Sequence, residues 1–252
     1  MSQDKIDLLS QLNENQAEAV QATEGPLLVL AGAGAGKTRV ITYRIAYLIQ
    51  ELNIAPWNIM AVTFTNKAAG EMKSRLNQLV GARAKKVQMG TFHSIGLNIL
   101  RRHSEKTVIG ESFSVVDQDD RLGIVKNIVK QLGIDAKKWP PKHYLSLISD
   151  YKNTIFYVEN RVPEEMTNRL PEVFQLYEEA LRAQKLIDFD DMLSLSLRLF
   201  LQHPDVRDAY RELCKYILVD EYQDTNAIQF AFLKELSGDS GNICVVGDDD
   251  QS

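Results

Sequence analysis

Residues 27–38 read LLVLAGAGAGKT, an apolar run followed by a glycine-rich segment that ends in Gly-Lys-Thr. The apolar run predicts a buried β-strand, and the residues from 39 onward have helical spacing. Glycines between a strand and a helix let backbone N–H groups close around an anion, and the helix adds its positive N-terminal end. The pattern therefore predicts a phosphate-binding loop, in which Lys37 reaches the β- and γ-phosphates and the Thr38 hydroxyl binds Mg²⁺.

The segment departs from the strict phosphate-loop pattern at Ala31, which stands where that pattern has its first glycine. A flexible turn is the alternative explanation. The order of strand, loop and helix favours the phosphate loop, because that context gives the pattern its function. The residues of this segment that are predicted to contact a nucleotide are Ala33, Gly34, Ala35, Gly36, Lys37 and Thr38.

Five short apolar runs end in polar or glycine-containing loops, which is typical of buried parallel strands. They cover residues 27–30, 59–64, 87–89, 216–219 and 243–246. Helical spacing follows the first two runs, at 39–51 and 66–79. The sequence therefore predicts an α/β fold with a parallel sheet that binds its ligands at the carboxyl ends of the strands.

The pattern changes between about residues 110 and 190. Amphipathic helical runs occupy 120–132, 142–151, 172–185 and 190–201, separated by prolines. We interpret this region as a helical subdomain inserted in the α/β domain. The predicted boundaries are 1–109 for the first part of the α/β domain, 110–189 for the helical subdomain and 190–252 for the second part.

Charge is unevenly distributed along the chain. The formal net charge is −5, which by itself argues against a nucleic-acid partner. Residues 67–106, here called the basic segment, nevertheless carry nine Lys or Arg side chains against two glutamates. A solvated helix surface and a cationic surface for phosphates both explain such a segment.

Other site classes receive no support from the sequence. Cys214 and Cys244 are isolated thiols, and the four histidines lack metal-ligand spacing, so neither a disulfide framework nor a zinc site is indicated. The apolar runs are far shorter than the roughly twenty residues that span a bilayer, and the N-terminus MSQDKID lacks an apolar signal core. We therefore expect a cytoplasmic protein with no membrane partner.

Residues 217–221 read ILVDE, an apolar strand that ends in two adjacent carboxylates. Asp220 is predicted to hold Mg²⁺ together with Thr38. Glu221 is then placed to orient or deprotonate an attacking water, because chemistry at a γ-phosphate depends mainly on positioning and charge neutralisation. Adjacent acids at a strand end are common without any catalytic role, and the phosphate loop is what favours the catalytic interpretation.

Residues 247–252 read GDDDQS and follow another apolar run. Gln251 in this segment is predicted to sense the γ-phosphate and to report its loss. A solvated acidic segment is the alternative, and it explains these residues better when they are taken in isolation. The prediction for Gln251 therefore depends on the other motifs.

Six separated motifs, taken in order, resemble those of the superfamily 1 helicases of the UvrD/Rep/PcrA type. They read LNENQ at 12–16, AGAGAGKTR at 31–39, TFTNKAA at 63–69, GTFHS at 90–94, VDEYQDT at 219–225 and GDDDQS at 247–252. The resemblance extends over essentially the whole chain. It implies a RecA-like first motor domain with an inserted helical subdomain.

The resemblance also implies a nucleotide site that uses ATP and Mg²⁺. In it, the side-chain amide of Gln16 reads adenine and Arg39 packs on the base. Ala31 is an ordinary residue at its position in the phosphate loop of this family. Lys37, Asp220, Glu221 and Gln251 are then the expected catalytic residues.

Single-stranded DNA, alone or as the tail of a duplex, is the partner that the resemblance implies. The basic segment surrounds two motifs that face this strand in the family. Phe64 would stack on a base, Thr65 and Asn66 belong to the same motif, and Thr91 and His93 would meet the DNA backbone. The alternatives are a core aromatic for Phe64 and an ordinary loop histidine for His93.

Family members continue through a second RecA-like domain that carries arginines completing the ATP site. We therefore expect this chain to be the ATP-binding half of a 3′-to-5′ DNA helicase of repair or replication, with little or no ATP hydrolysis alone. A nucleotide-dependent DNA-binding module without turnover and the motor portion of a RecB-like helicase-nuclease are the alternatives. A metabolic P-loop kinase fits less well, because no acceptor-substrate motif accompanies VDEYQDT.

Overall fold

The computed structural model describes residues 7–32, 34–161, 169–238 and 241–248. The α-helices in these residues are α1 Glu14–Gln21, α2 Lys37–Gln50, α3 Asn66–Val80, α4 Phe92–Arg102, α5 Gln118–Gln131, α6 Pro141–Lys152, α7 Ile155–Val158, α8 Leu170–Ala183, α9 Asp191–Gln202, α10 Pro204–Leu213 and α11 Ala227–Ser237. The strands are β1 Leu27–Leu30, β2 Ile59–Thr63, β3 Gln88–Thr91, β4 Ser114–Val115, β5 Leu186–Ile187, β6 Tyr216–Val219 and β7 Asn242–Gly247. Short 3₁₀ turns cover Leu9–Gln11, Pro56–Asn58, Gly81–Lys86, Ser104–Lys106 and Tyr222–Asp224.

Five strands form one parallel sheet in the order β1-β7-β6-β2-β3. The register pairs Leu30 with Gly247 between β1 and β7, and Val62 with Val219 between β2 and β6. Because every pair is parallel, the carboxyl ends of all five strands lie at one edge of the sheet. The predicted α/β fold with a parallel sheet is confirmed, and this edge is where the predicted motifs fall.

The most buried strands of the sheet pair with another strand on each side. Every residue of β2 and β6 is buried, as expected for central strands of a parallel sheet. Helix α2 packs on the sheet and buries residues around most of its circumference, including Ile41, Ile45 and Leu48. The glycine-rich loop before α2 is thus followed by a firmly packed helix.

Strand β1 is present as predicted, but the prediction that it is buried is wrong. Leu28 and Leu30 are 57% and 55% exposed, while Leu27 and Val29 pack against the core. The reason is that β1 is the edge strand and pairs with β7 alone. Its second face is not covered by the part of the chain that the structure describes.

The chain divides into two compact units. The first unit comprises Met1–Phe92, Arg207–Thr225 and Leu233–Ser252, and the second comprises His93–Val206 and Asn226–Phe232. The first unit contains the five-stranded sheet. The sequence-based domain boundaries remain a prediction, because units defined by packing need not end where domains do.

The second unit is built mainly from helices, as the sequence predicts. Its core includes Val125 of α5, Tyr144 and Ile148 of α6, and Val173 and Tyr177 of α8. The short strands β4 and β5 pair in parallel beside these helices. The sequence did not predict this pair, because two residues are too few for a periodic pattern.

None of the helices in the described ranges combines the length and the hydrophobicity that are needed to span a bilayer.

A buried charge cluster lies in the second unit around Lys152, which is fully buried. Its Nζ atom lies 2.7 Å from Glu178, 3.0 Å from Asp188 and 2.8 Å from Asp191. Burial lowers the pKa of Lys152, but these carboxylates outweigh burial and raise that pKa well above its ordinary value. The ammonium group therefore stays charged. It supplies a positive charge to three carboxylates that are largely removed from water.

Replacing Lys152 with Met is expected to destabilise the protein by about 3–5 kcal/mol, because it removes the buried cation from Asp188 and Asp191, of which only Asp188 has another in reach among the described residues, Arg121 at 3.4 Å. The melting temperature, followed by circular dichroism, should fall by about 10 °C. Lys106→Met is the matched control, since Lys106 pairs with Asp205 on an exposed surface of the same unit, and it should melt close to wild type. Equal melting temperatures for the two variants would contradict this assignment.

Candidate nucleotide site

The glycine-rich loop begins at the carboxyl end of β1, where the Ala31 N–H donates to the Gly247 carbonyl at 3.0 Å. Gly34 and Gly36 have φ values of +78° and +88°, which side-chain-bearing residues rarely adopt. A Cβ atom at Gly36 would also lie 2.9 Å from Nε2 of Gln16. The backbone conformation therefore favours glycine at position 36, and the end of the Gln16 side chain would have to move to admit a Cβ atom. Ala33 lies outside the described residues.

Helix α2 begins at Lys37, directly after this loop. Its N-cap is Gly36, which carries no side chain to satisfy the first-turn N–H groups. Gly34 and Ala35 are exposed, and the Ala35 N–H donates to the Gly32 carbonyl at 3.1 Å. The helix dipole and the first-turn N–H groups give the loop the character of an anion site.

Thr38 and Asp220 meet across the edge of the sheet. The Thr38 hydroxyl donates to Oδ2 of Asp220 at 3.0 Å, and Asp220 is buried at the end of β6. Burial raises the pKa of Asp220, and the hydrogen bond from Thr38 only partly offsets this. The site therefore has an anionic group that a cation would stabilise.

The spacing of these two oxygens fits Mg²⁺. An octahedral Mg²⁺ binds oxygen at about 2.1 Å, which puts adjacent ligands about 3.0 Å apart. Thr38 Oγ1 and Asp220 Oδ2 have that separation. Hydroxyl and carboxylate oxygens are also ligands that this ion prefers.

Lys37 lies between two acids. Its Nζ is 3.1 Å from Oδ2 of Asp248, which follows β7, and 3.6 Å from Oε2 of Glu221. Burial lowers the pKa of Lys37, but Asp248 and Glu221 outweigh burial and raise that pKa above its ordinary value. Lys37 is therefore a cation at the mouth of the loop, held by carboxylates that a phosphate would replace.

Glu221 is the N-cap of the 3₁₀ turn Tyr222–Asp224 and has left-handed backbone angles, with φ at 53° and ψ at 44°. Such angles are uncommon for a residue other than glycine and occur often at functional sites. Its side chain is 39% exposed, and Oε2 accepts a hydrogen bond from Nε2 of Gln223 at 2.9 Å. The carboxylate is thus accessible and held in one orientation.

Gln16 already uses both ends of its amide within the protein. Nε2 donates to the Ala35 carbonyl at 2.9 Å, and Oε1 accepts from the Asn13 N–H at 3.3 Å in a capping box at the start of α1. These bonds place Gln16 beside the glycine-rich loop. An adenine that binds to this amide would have to share or replace them.

Arg39 is exposed and lies beside Tyr43 and Gln11. It donates to the Gln11 carbonyl at 2.6 Å, and its guanidinium carbon lies 5.1 Å from the centroid of the Tyr43 ring. The Tyr43 hydroxyl donates to Oε1 of Gln11 at 2.6 Å. These contacts hold the guanidinium group near the glycine-rich loop. A planar guanidinium group can stack on an aromatic base.

A cavity of about 560 Å³, a size typical of ligand sites, lies beside the glycine-rich loop and is lined by Lys37, Thr38 and Glu221 among others. Its lining residues are Gly34, Gly36, Lys37, Thr38, Arg39, Thr63, Phe64, Thr65, Ala68, Arg75, Glu221, Gln223 and Asp224. The sequence reasoning missed Gln223, Arg75 and the contact of Asp248 with Lys37. A polar residue directly after a strand was the available signal for Asp248. Gln251 lies outside the described residues.

The residues predicted to contact DNA occur in both units. In the first unit, Phe64 is half-buried and packs edge-to-face on Phe92 at 5.5 Å between ring centroids. Thr65 caps α3 by accepting from the Ala68 N–H at 3.1 Å. Asn66, the first residue of α3, is exposed, and Thr91 at the end of β3 is buried.

His93 belongs to the second unit. Its ring stacks on Phe189 with centroids 3.8 Å apart, and Phe189 is 51% exposed. Burial lowers the pKa of His93, despite the nearby carboxylate of Asp190, which favours the neutral ring. The sequence reasoning did not single out Phe189, because its exposure depends on how the turn before α9 is held.

A parallel sheet with this loop, Lys37, Thr38 and a strand-end Asp220 defines a P-loop nucleotide-binding protein. Residues 12–252 match the model of the UvrD/REP helicase N-terminal domain, and the chain belongs to that family. The predicted resemblance is thereby confirmed, and with it the RecA-like fold with a helical insertion.

Two relatives illustrate the similarity. The chain is 43% identical to the ATP-dependent DNA helicase PcrA of Staphylococcus aureus over 248 residues, which cover 97% of this chain and 34% of the helicase. It is 42% identical to the ATP-dependent DNA helicase PcrA of Staphylococcus epidermidis, again over 97% of this chain and 34% of the helicase. The chain thus spans about a third of the length of the relatives it matches.

Gly36→Ala is expected to weaken Mg-ATP binding about tenfold or more, because the backbone is left-handed there and the new methyl group meets Gln16. Isothermal titration calorimetry measures the affinity. Gly34→Ala should lose less affinity for Mg-ATP than Gly36→Ala. Gly34 also has a positive φ, but no atom of the described residues beyond its own chain neighbours lies within 4 Å of the position that the new methyl group would take, so only the conformational cost applies. Gly70→Ala on exposed α3 is the control and should bind as wild type. Wild-type affinity in Gly36→Ala would refute the assigned conformational requirement.

Proposed function

We propose that this chain is the ATP-binding part of an ATP-dependent DNA helicase or translocase that acts on single-stranded DNA. The observation that carries the proposal is the meeting of Thr38 with Asp220 at 3.0 Å, beside the cavity that Lys37, Thr38 and Glu221 line. The family supports the DNA-dependent activity, and the relatives named above are ATP-dependent DNA helicases. The proposal includes 3′-to-5′ polarity, a role in repair or replication, and a cytoplasmic location.

In the proposed reaction, Lys37 leaves Asp248 and Glu221 and binds the β- and γ-phosphates of ATP. Thr38 and Asp220 would hold Mg²⁺, which supplies charge neutralisation at the phosphates. Release from Lys37 frees the Glu221 carboxylate to orient the attacking water and accept its proton. Gln251 is the proposed sensor of the γ-phosphate.

Base recognition is assigned to residues on the other side of the loop. Gln16 would exchange its bonds to Ala35 and Asn13 for the adenine edge, and Arg39 would pack on the ring. The backbone groups of Ala33, Gly34, Ala35 and Gly36 would line the phosphates. These roles are consistent with the positions of Gln16 and Arg39 beside the loop.

The DNA surface is proposed to include Phe64, Thr65, Asn66, Thr91 and His93, together with the basic segment. Aromatic rings supply stacking surfaces for bases, and basic side chains supply contacts to phosphates. His93 would contribute as a neutral hydrogen-bonding group. A second RecA-like domain is the proposed partner in stepping along DNA, since a translocase needs two bodies that open and close on ATP.

Lys37→Ala should weaken Mg-ATP binding by about 10- to 100-fold, because it removes a charge-assisted contact to phosphate. Titration with a fluorescent ATP analogue measures this loss. Lys126→Ala, an exposed lysine on α5, is the control and should bind normally. Unchanged affinity in Lys37→Ala would remove this residue from the nucleotide site.

Glu221→Gln should keep Mg-ATP affinity and lower kcat for DNA-stimulated hydrolysis by about 10²- to 10⁴-fold, because the amide cannot accept the proton. The measurement is phosphate release by the whole protein with and without single-stranded DNA. Glu71→Gln on exposed α3 should hydrolyse ATP normally. Normal turnover by Glu221→Gln would exclude Glu221 as the base, and a wild-type protein without DNA stimulation would overturn the proposed function.

Phe64→Leu should weaken binding to single-stranded oligothymidylate by about 5- to 100-fold, because one base–aromatic stack is worth about 1–3 kcal/mol. Fluorescence anisotropy at low salt measures the affinity. Phe230→Leu is the matched control, since Phe230 is an exposed phenylalanine on α11 and lies outside the basic segment. Equal affinities of the two variants would argue that Phe64 is a core aromatic.

A further inference from the structure

Gln223 has a side chain that none of the roles above requires, yet it contacts two motifs at once. Its Nε2 donates to Oε2 of Glu221 at 2.9 Å, and its Oε1 accepts from the Asp248 N–H at 3.0 Å. Gln223 therefore bridges the ends of β6 and β7 across the candidate site.

The chemistry of its partners fixes which way the amide points. An ionised carboxylate only accepts hydrogen bonds, so the NH₂ group must face Glu221. A backbone N–H only donates, so the oxygen must face Asp248. The alternative amide orientation would break both bonds, and the observed one is therefore selected.

Gly247 makes room for this bridge. A Cβ atom at Gly247 would lie 3.1 Å from Oε1 of Gln223 and 3.5 Å from its backbone nitrogen. The first distance is tighter than most Cβ contacts, whereas the second is an ordinary van der Waals contact. The glycine at the end of β7 thus lets the Gln223 amide reach the Asp248 N–H.

Gln223 differs from the other group near the Glu221 carboxylate in what it can still do after nucleotide binds. Lys37 lies 3.6 Å from the same Oε2 atom, but the proposed reaction turns Lys37 toward the phosphates. The Gln223 amide donates at 2.9 Å and has no such second partner in the proposed reaction. When phosphate binds Lys37, Gln223 remains as the donor that holds Glu221.

We propose that Gln223 is a positioning residue for ATP hydrolysis, which orients Glu221 as the base and ties its position to the end of β7. This inference rests on the proposed function. It assigns Gln223 no contact with ATP. Changing Gln223 should therefore alter kcat and leave ATP binding nearly unchanged.

Two variants separate the two hydrogen bonds. Gln223→Leu loses both. Gln223→Glu keeps an acceptor for the Asp248 N–H but loses the donor to Glu221 and places a second carboxylate against it. We expect both variants to lower kcat by about 10-fold or more with a KM for ATP within about 3-fold of wild type.

Gln175→Glu is the matched control, because Gln175 also donates to a carboxylate, that of Glu179 at 2.9 Å, on the exposed surface of α8. It should leave kcat and KM unchanged. Phosphate release by the whole protein with single-stranded DNA gives kcat and KM for ATP, and melting curves verify that each variant is folded.

Folded Gln223→Glu with wild-type kcat would overturn the positioning role while leaving the proposed function intact. Loss of ATP affinity equal to the loss of kcat would also overturn it, since Gln223 would then be a binding residue. If the wild-type protein shows no ATP hydrolysis, or hydrolysis that Lys37→Ala does not reduce, the proposed function and this inference would both be overturned.

Discussion

The hydrogen bond from Thr38 to Asp220 joins two segments that are 182 residues apart in the chain. It is possible because β1 and β6 belong to one parallel sheet, so that the loop after β1 and the acid after β6 lie at the same edge. A shift of one residue in β6 would turn Asp220 to the opposite face of the sheet. The register therefore determines whether the candidate cation site exists at all.

The same edge holds the charges that surround Lys37. Asp248 follows β7 and Glu221 follows Asp220, so strand ends bring two carboxylates to one ammonium group. These ion pairs keep the partly buried lysine charged. In the proposed reaction, phosphate takes the place of the carboxylates at Lys37, which would link nucleotide binding to the release of Glu221, the residue proposed to act on water.

Much of this site was predictable because its residues follow strands in sequence. The loop before α2 and the acids after β6 have local signals, and a parallel sheet brings them together whatever its details. The role of Gln223 was not predictable, because it depends on the register of β6 against β7. The exposure of Leu28 depends on strand order, and the charges around Lys152 depend on the packing of three separate helical segments. Local sequence patterns contain none of this information.

The pairing of Thr38 with Asp220 as joint ligands of a nucleotide-bound cation is tested most directly by calorimetric titration with ATP. Wild type and Asp220→Asn are each titrated in Mg²⁺ and in EDTA. The account predicts that Mg²⁺ strengthens ATP binding to wild type by at least about tenfold and that Asp220→Asn loses this difference. A folded Asp220→Asn variant that keeps the full dependence on Mg²⁺ would contradict it.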